Sequence, residues 1–519
     1  MTRLLTLSVF LLTPFLLFSQ LQLLGHLPYD SATLAGCWHH VDSSGGEWAL
    51  VGTSKGLSIV DLSDPAQPVE RFSVPGISSN WREVKTWSGY AYVGSEAPGS
   101  GITIVNLREL PDSVSWKVWK GDGAYLDQVQ RSHTVAATDG WLYVFGGSTV
   151  TNGAVIADLS DPWNPQITGL YTNFYVHDGY IRGDTLWSSE IYAGQFTVID
   201  VSDKSAPAPL TSTPTPGAFN HNSWLSDNSQ ILFTTDEKSN APLGSFDVSD
   251  LNNITLLDKY YPSVYPNKEV HNVRVLNDFL INPSYGGQLT IVDASRPDNL
   301  IETAWASLGN SLVWDADPYL PSGIIFATAK NEGLFVYQPA YQHAAWLEGH
   351  VTDAQSGAPI NGAKIFILNT LNADTSRADG SYKTGNGQAG TFSVLAEKPG
   401  YLPQTLDGIP LQNGQVTTLD IALTPGFVAT KQVADASEID VYPNCFQHEF
   451  HVKLPPNAAF QPGNARAVLL DAHGNTVLEQ PLVEMDTVIR PHPAVAAGAY
   501  WLLVRQGNLC SKACPLIKS

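Results

Sequence analysis

The stretch GLSIVDLSDPAQP, Gly56–Pro68, decides the fold, because looser copies of it return six more times before residue 340. They read GITIVNLRELPDS from Gly101, AVIADLSDPWNP from Ala154, FTVIDVSDKSAP from Phe196, GSFDVSDLNN from Gly244, LTIVDASRPDN from Leu289 and GLFVYQP from Gly333. Aligned on the residue that closes the apolar run, the anchors are Asp61, Asn106, Asp158, Asp200, Asp247, Asp293 and Tyr337. They are spaced by 45, 52, 42, 47, 46 and 44 residues. A period of that length marks the blade of a β-propeller.

Working outward from this phrase, each repeat has the same order of short β-rich runs separated by Gly, Ser-Asp-Pro or Asn-Pro turns. In the first, HHVDSS precedes EWALVGT, then come GLSIVDLS and VERFSV. Four such runs make one antiparallel sheet, and seven sheets around an axis make a seven-bladed propeller over residues 21–340. The third run is apolar with little alternation, as expected of a strand covered on both faces by neighbouring blades. Its closing Asp is read as a turn residue that accepts backbone N–H groups, and Pro65, Pro162 and Pro297 preset the turn that follows.

An outer run (VERF, SWKVW, ITGLY, PLTS, LLDKYY, IETAW) follows each of the first six repeats but not the seventh. A matching segment, LQLLGHLPYD at Leu21–Asp30, stands near the start of the chain. The expectation is that it supplies the outer strand of the seventh blade and closes the ring.

The first run of each repeat carries the most chemistry. His40, His133, His177, His221 and His271 stand at nearly the same phase, each some nine or ten residues before the core of the second run. Arg82 with Glu83, and Trp314 with Asp315, hold that place in repeats two and seven. Innermost strands line a propeller's channel, so one position per blade should form a ring. Either these imidazoles satisfy backbone groups within their own blades, or they converge with Glu83 and Asp315 on a divalent metal, for which neutral His nitrogen is a good ligand. Glu96, Glu190, Asp236 and Glu237, which follow second runs, are expected at the same mouth.

Composition bounds the rest. Charged residues make up 15% of the 519, and 28 basic residues stand against 49 acidic ones, a net charge of −21 that opposes binding to nucleic acid. Residues 1–20, MTRLLTLSVFLLTPFLLFSQ, have an early Arg3 and a short apolar core broken by Pro14, the pattern of a secretory signal peptide cleaved near Gln20. No later stretch is long enough to span a bilayer. Of four cysteines, Cys445 could bridge to Cys510 or Cys514. Nucleophile-elbow, HExxH and Walker motifs are absent.

The IVDLSDP-type phrase with an upstream His resembles the LVIVD repeats of bacterial surface proteins of the choice-of-anchor B family. That resemblance covers residues 21–340 and implies a secreted or surface-held propeller without a settled activity. Residues 345–425 resemble the carboxypeptidase regulatory-like domain, on Gly349, Val351, Asp353, Gly357, Pro359, Ala363, Asp379, Gly380, Tyr382, Gly400 and Tyr401. This implies a small prealbumin-like β-sandwich, a spacer and not itself a peptidase. Residues 426–438 read as a linker.

Residues 439–519 resemble the type A C-terminal sorting domain of type IX secretion. Tyr442, Pro443, Asn444 and Phe446 match its opening, Asp471 and Gly474 its hairpin, Gly498 and Tyr500 its late strand and Lys518 its basic end, while Cys445 replaces the family's Pro. That implies export through the type IX machinery to the outside or outer surface of a bacterium of the Bacteroidota type. Together these readings favour a non-enzymatic module whose propeller face binds a glycan, a protein or a metal. The alternative is a metal-dependent hydrolase or oxidoreductase working at a His-lined channel.

Overall fold

The computed structural model describes residues 21–147, 150–262, 269–426, 439–454, 461–471, 475–493, 495–506, 509–510 and 514–518. The expected signal peptide, nearly all of the linker and Gly474 lie outside them. The described residues are all-β, and none of their helices is long and apolar enough to cross a membrane.

Among the described residues from Gln22 to Gln338 the strands pair into seven antiparallel sheets. In blade 1 the order is Leu34–Val41, Glu47–Thr53, Gly56–Asp61 and Val69–Pro75, each strand beside its sequence neighbour. The third strands are buried on both faces: Leu57, Ile59 and Val60, or Ile102, Ile104 and Val105, are at most 2% exposed. Their central residues are mostly apolar because neighbouring blades cover both sides, and exposure returns at the strand ends, as at Asp61, Asp200 and Gln338. Innermost strands pack in sequence around one axis, and blade 7 returns to blade 1, where the Thr328 hydroxyl donates to the Ala35 carbonyl at 2.6 Å.

The anchoring aspartates act as the turn chemistry requires. Asp61 accepts from Ser63 N at 2.9 Å, Asp200 from Ser202 N at 2.8 Å and Asp247 from Ser249 N at 2.9 Å, each two residues on. Asn106 does the same for Arg108 N at 3.1 Å. These carboxylates are committed to the turns.

Closure comes from the start of the chain. Gln22–Leu27 lies antiparallel to Gly333–Gln338 as the outer strand of blade 7, with Leu27 opposite Leu334 and Leu23 opposite Tyr337. A glycine that opens the third strand shows the equivalence. A Cβ on Gly56 would lie 2.0 Å from the Val74 carbonyl of its outer strand, and one on Gly333 would lie 2.3 Å from the Leu27 carbonyl. Gly333 also sits at φ +117°, a conformation costly for any L side chain. Gly333→Ala is therefore expected to cost about 1–3 kcal/mol, read as a lower denaturation midpoint with an unchanged slope.

The chain divides into two compact units. One joins the propeller to Gly357–Glu397 and Pro403–Ala422; the other consists of Asp353–Ser356, Lys398–Leu402 and Leu423–Ser519. In the first unit residues 345–350 pair with Ser381–Asn386 and Val416–Thr418, while Lys364–Ile367, Gly390–Glu397 and Gln404–Leu411 form a second sheet. This sandwich is fastened to the propeller: Trp346 Nε1 donates to the Asn299 carbonyl at 3.3 Å, and Arg296 pairs with Glu348 at 2.6 Å. Ala344 N also donates to Asp293 at 2.7 Å, so one anchoring aspartate serves its own turn and the adjoining sandwich.

The second unit also has two sheets. Phe450–Lys453 pairs with Asp440–Tyr442 and Asp486–Ile489, and Gly498–Gln506 is central to the other. Phe450, Val452, Leu469, Tyr500 and Leu502 fill the space between. Cys445 is exposed.

Candidate functional site

Four imidazoles from four consecutive blades form an arc at one mouth of the channel. The ring centroids of His133 and His177 are 3.9 Å apart, those of His177 and His221 4.3 Å, and those of His221 and His271 4.1 Å. Ligand-capable atoms of His133, His177 and His221 lie within 4.8 Å of one another, and so do those of His221, Glu237 and His271. The arc arises because each of these blades brings one histidine to the axis at the start of its innermost run: His221 within Asn220–Leu225, His133 and His177 just before Val135–Thr138 and Asp178–Arg182, and His271 between Glu269–Val270 and Arg274–Leu276. His133, His177 and His271 each donate their N–H to the residue that ends the core of the second strand: Phe145, Ser189 and Pro283.

A repeated hydrogen bond orients the rings. His177 Nδ1 donates to the carbonyl of His221 in the next blade at 3.3 Å, and His271 Nδ1 to the carbonyl of Trp314 at 2.6 Å. A carbonyl can only accept, so Nδ1 carries the proton and Nε2 keeps its lone pair, the tautomer a metal ligand needs. His221 Nδ1 stands toward the carbonyl of His271, fully buried, without reaching hydrogen-bond geometry. Its Nε2 lies 3.9 Å from Glu237 Oε2, and that of His271 lies 4.0 Å from Glu237 Oε1. His133 Nδ1 meets Glu96 Oε1 at 2.5 Å. The backbone-satisfying and ligand-binding roles thus fall on opposite nitrogens of the same rings.

Burial sets the protonation state. It pushes His177 and His271 well below the ordinary imidazole range, reinforced by the neighbouring imidazoles, and lowers His221 as well. The hydrogen bond from His133 lowers Glu96. Burial therefore favours the neutral form of His177, His221 and His271, with acidic oxygens at the edge of the arc.

His40 does not belong to it, contrary to the sequence alignment. The innermost strand of blade 1 is irregular between Leu34 and Cys37, and His40 pairs opposite Trp48, far along that strand. Equivalence is fixed by a shared hydrogen bond: Thr235 Oγ1 donates to the His271 carbonyl, and Thr328 Oγ1 to that of Ala35. Ala35 therefore holds the arc position in blade 1.

Of the four acids expected at the mouth, the structure places Glu96 and Glu237 there and turns Glu190 and Asp236 away. The latter two are the final residues of Thr185–Glu190 and Ile231–Asp236; Glu96 and Glu237 follow their strands by one residue. Successive side chains alternate between faces, so that single step decides which way each points. Glu190 accepts from Gln195 and Thr197 at 2.8 Å and from Tyr171 and Ser188 at 3.1 Å. Asp236 is held by Gly217 N and Phe219 N at 2.9 and 2.8 Å. Arg82 is likewise structural, donating to the carbonyls of Thr53 at 2.9 Å and Ile77 at 2.6 Å.

Glu83 and Asp315 lie in the channel but apart from the arc. Asp315 is held by Arg274 Nη2 at 2.8 Å to both oxygens, and Glu83 accepts from Trp314 Nε1 at 2.8 Å. Burial and then the Asp315 charge raise Glu83 to about 7. The unfolded carboxyl, near 4.5, binds fewer protons than the native one between these values, so this group's contribution is fully present below pH 4.5 and fades as pH rises through 7. Glu83→Gln keeps an acceptor for Trp314 and removes the charge. It should leave stability nearly unchanged at pH 5 and raise it by about 2 kcal/mol at pH 8, read from denaturation midpoints.

Residues that sequence reasoning passed over complete the mouth. Tyr285, at the position equivalent to Glu96 and Glu237, stacks on His271 at 4.3 Å, and Tyr175, Tyr192, Phe219 and Trp81 surround the opening. Tyr285 is the last residue of the second strand Phe279–Tyr285, so counting one residue past each strand end would have missed it; the others come from connecting loops without a repeated signal.

Residues 43–75 and 192–215 match the family described as LVIVD repeat, and residues 347–424 match the carboxypeptidase regulatory-like domain. No curated protein matches the chain. A crystal structure described as a candidate 6-phosphogluconolactonase from Bacteroides uniformis is similar at 11% identity and a TM-score of 0.44, covering 57% of this chain and 88% of that one. The chain thus carries LVIVD repeats within a β-propeller, joined to a carboxypeptidase regulatory-like domain.

Proposed function

We propose that this is an exported binding module whose propeller holds a divalent transition metal at the imidazole arc. The observation that carries the reading is the convergence of imidazoles from four consecutive blades, two of which, His177 and His271, turn Nδ1 to main-chain carbonyls and leave Nε2 free. An arc rich in nitrogen and poor in oxygen suits zinc, copper or nickel better than magnesium or calcium. Glu96 and Glu237 orient or complete the ligand set. Export is supported by the signal-like residues 1–20 and by the resemblance of residues 439–519 to a type IX sorting domain, with the choice-of-anchor B resemblance favouring retention at the surface of a Bacteroidota-type cell.

The test is elemental analysis of untagged, secreted protein, with near-stoichiometric metal expected. After chelation, zinc at 100 times its Kd should restore about 2.7 kcal/mol of stability. Metal-free protein whose melting is indifferent to zinc, copper and nickel would sink the reading. Turnover that depends on the arc would show that binding is not its whole role.

A further inference from the structure

Above the imidazole arc opens a cleft of about 270 Å³ whose floor and walls differ in chemistry. The floor offers Glu96, Glu237, the Tyr285 hydroxyl and the imidazoles. The walls are aromatic: Tyr192 is 77% exposed, with its ring 5.0 Å from that of Tyr175 and edge-on to Phe219 at 6.5 Å, and Trp81 is 41% exposed. Of the neighbouring cations, Lys330 sits over the rings of Trp81 and Trp314 at 5.7 and 5.1 Å, and Arg131 acts on Glu96 and Tyr175.

We infer that this mouth receives a single neutral sugar ring, the end of a glycan, packed against the aromatic wall with its hydroxyls directed to the floor. The inference rests on the metal reading, since a pair of sugar hydroxyls would complete the metal's coordination. Three features select this ligand class. An anionic ligand would meet Glu96 and Glu237, in a protein of net charge −21. A wholly apolar ring would take the remaining lone pairs of the Glu96 and Glu237 carboxylates out of water with nothing in its place, which is costly. A pyranose instead has an apolar face for Tyr192 or Trp81 and hydroxyls that can both donate and accept. The cleft is also just smaller than the roughly 300–1,000 Å³ typical for drug-sized ligands, which fits one ring better than an extended chain.

The experiment is titration calorimetry of zinc-loaded, untagged full-length protein with methyl glycosides of glucose, galactose, mannose and N-acetylglucosamine, and with benzoate as an aromatic anion. At least one glycoside should bind with a Kd of about 0.1–5 mM. Tyr192→Ala, at an exposed position, should weaken it roughly tenfold, with zinc content and melting unchanged. Silence from all four glycosides, binding of benzoate in their place, or no effect of either Tyr192→Ala or Trp81→Ala overturns the sugar assignment while zinc stays bound. Failure of zinc to bind overturns the metal reading, and the assignment resting on it with it; elemental analysis separates the two cases.

Discussion

His177→Ala combined with His221→Ala is expected to abolish metal retention, lowering affinity at least a hundredfold by equilibrium dialysis, while the metal-free protein stays folded. His221 is shared by both candidate ligand sets, and His177 stands between it and His133, so the pair removes the centre of the arc. Loss of one orienting partner commonly costs 10–100-fold in metal affinity, and loss of two direct ligands should exceed that. The fold should survive because the backbone groups around the arc remain paired: His177 N still meets the Ser189 carbonyl, and only the side-chain bond to the His221 carbonyl disappears. The control is His40→Ala, which should leave metal content unchanged because His40 sits elsewhere on its strand. Equal retention by the double variant and the parent would refute the site.

Removal of Leu21–Leu27 should have the largest effect on stability. It strips blade 7 of its outer strand, exposing the edge Gly333–Gln338, and takes away Leu21, 6% exposed, together with Leu24 and Leu27, which pack against neighbouring blades. An exposed edge next to apolar surface invites pairing between chains. The shortened protein should lose its cooperative thermal transition and elute as aggregates in size-exclusion chromatography with light scattering. Gly25→Val is a milder version: a Cβ there would lie 2.2 Å from the Pro65 carbonyl of blade 1, so the strand must shift or leave. A monomer with the parent's melting point after the deletion would show that the ring does not depend on this strand.

The fold was readable because its determinants are local and repeated. GLSIVDLSDP contains a glycine at the strand start, an apolar strand and an Asx turn, all set by neighbours within a few residues, and recurrence gave the period. The absence of an outer run after Tyr337 and its presence at Leu21 revealed closure for the same reason. The site was only partly readable. His133, His177, His221 and His271 stand at matching places and so could be aligned, but the longer hairpin between Leu34–Val41 and Glu47–Thr53 puts His40 opposite Trp48 and away from the position its sequence phase implied. Likewise Glu190 and Glu96 look alike in sequence, and a one-residue difference in strand phase sends one into a buried hydrogen-bond network and the other to the channel.

By itself, then, the sequence determined the blades, their strand order, the turns between them and the identity of the closing strand, because hydrogen-bond pattern and burial follow from short segments repeated around an axis. Tertiary structure alone decided which side chains meet at that axis, since neighbouring imidazoles come from different blades, 44 or more residues apart, and converge only when the ring closes. It also decided the use of each histidine. For His177 and His271 the carbonyl that fixes Nδ1 belongs to the next blade, and only that contact determines that the free nitrogen is Nε2.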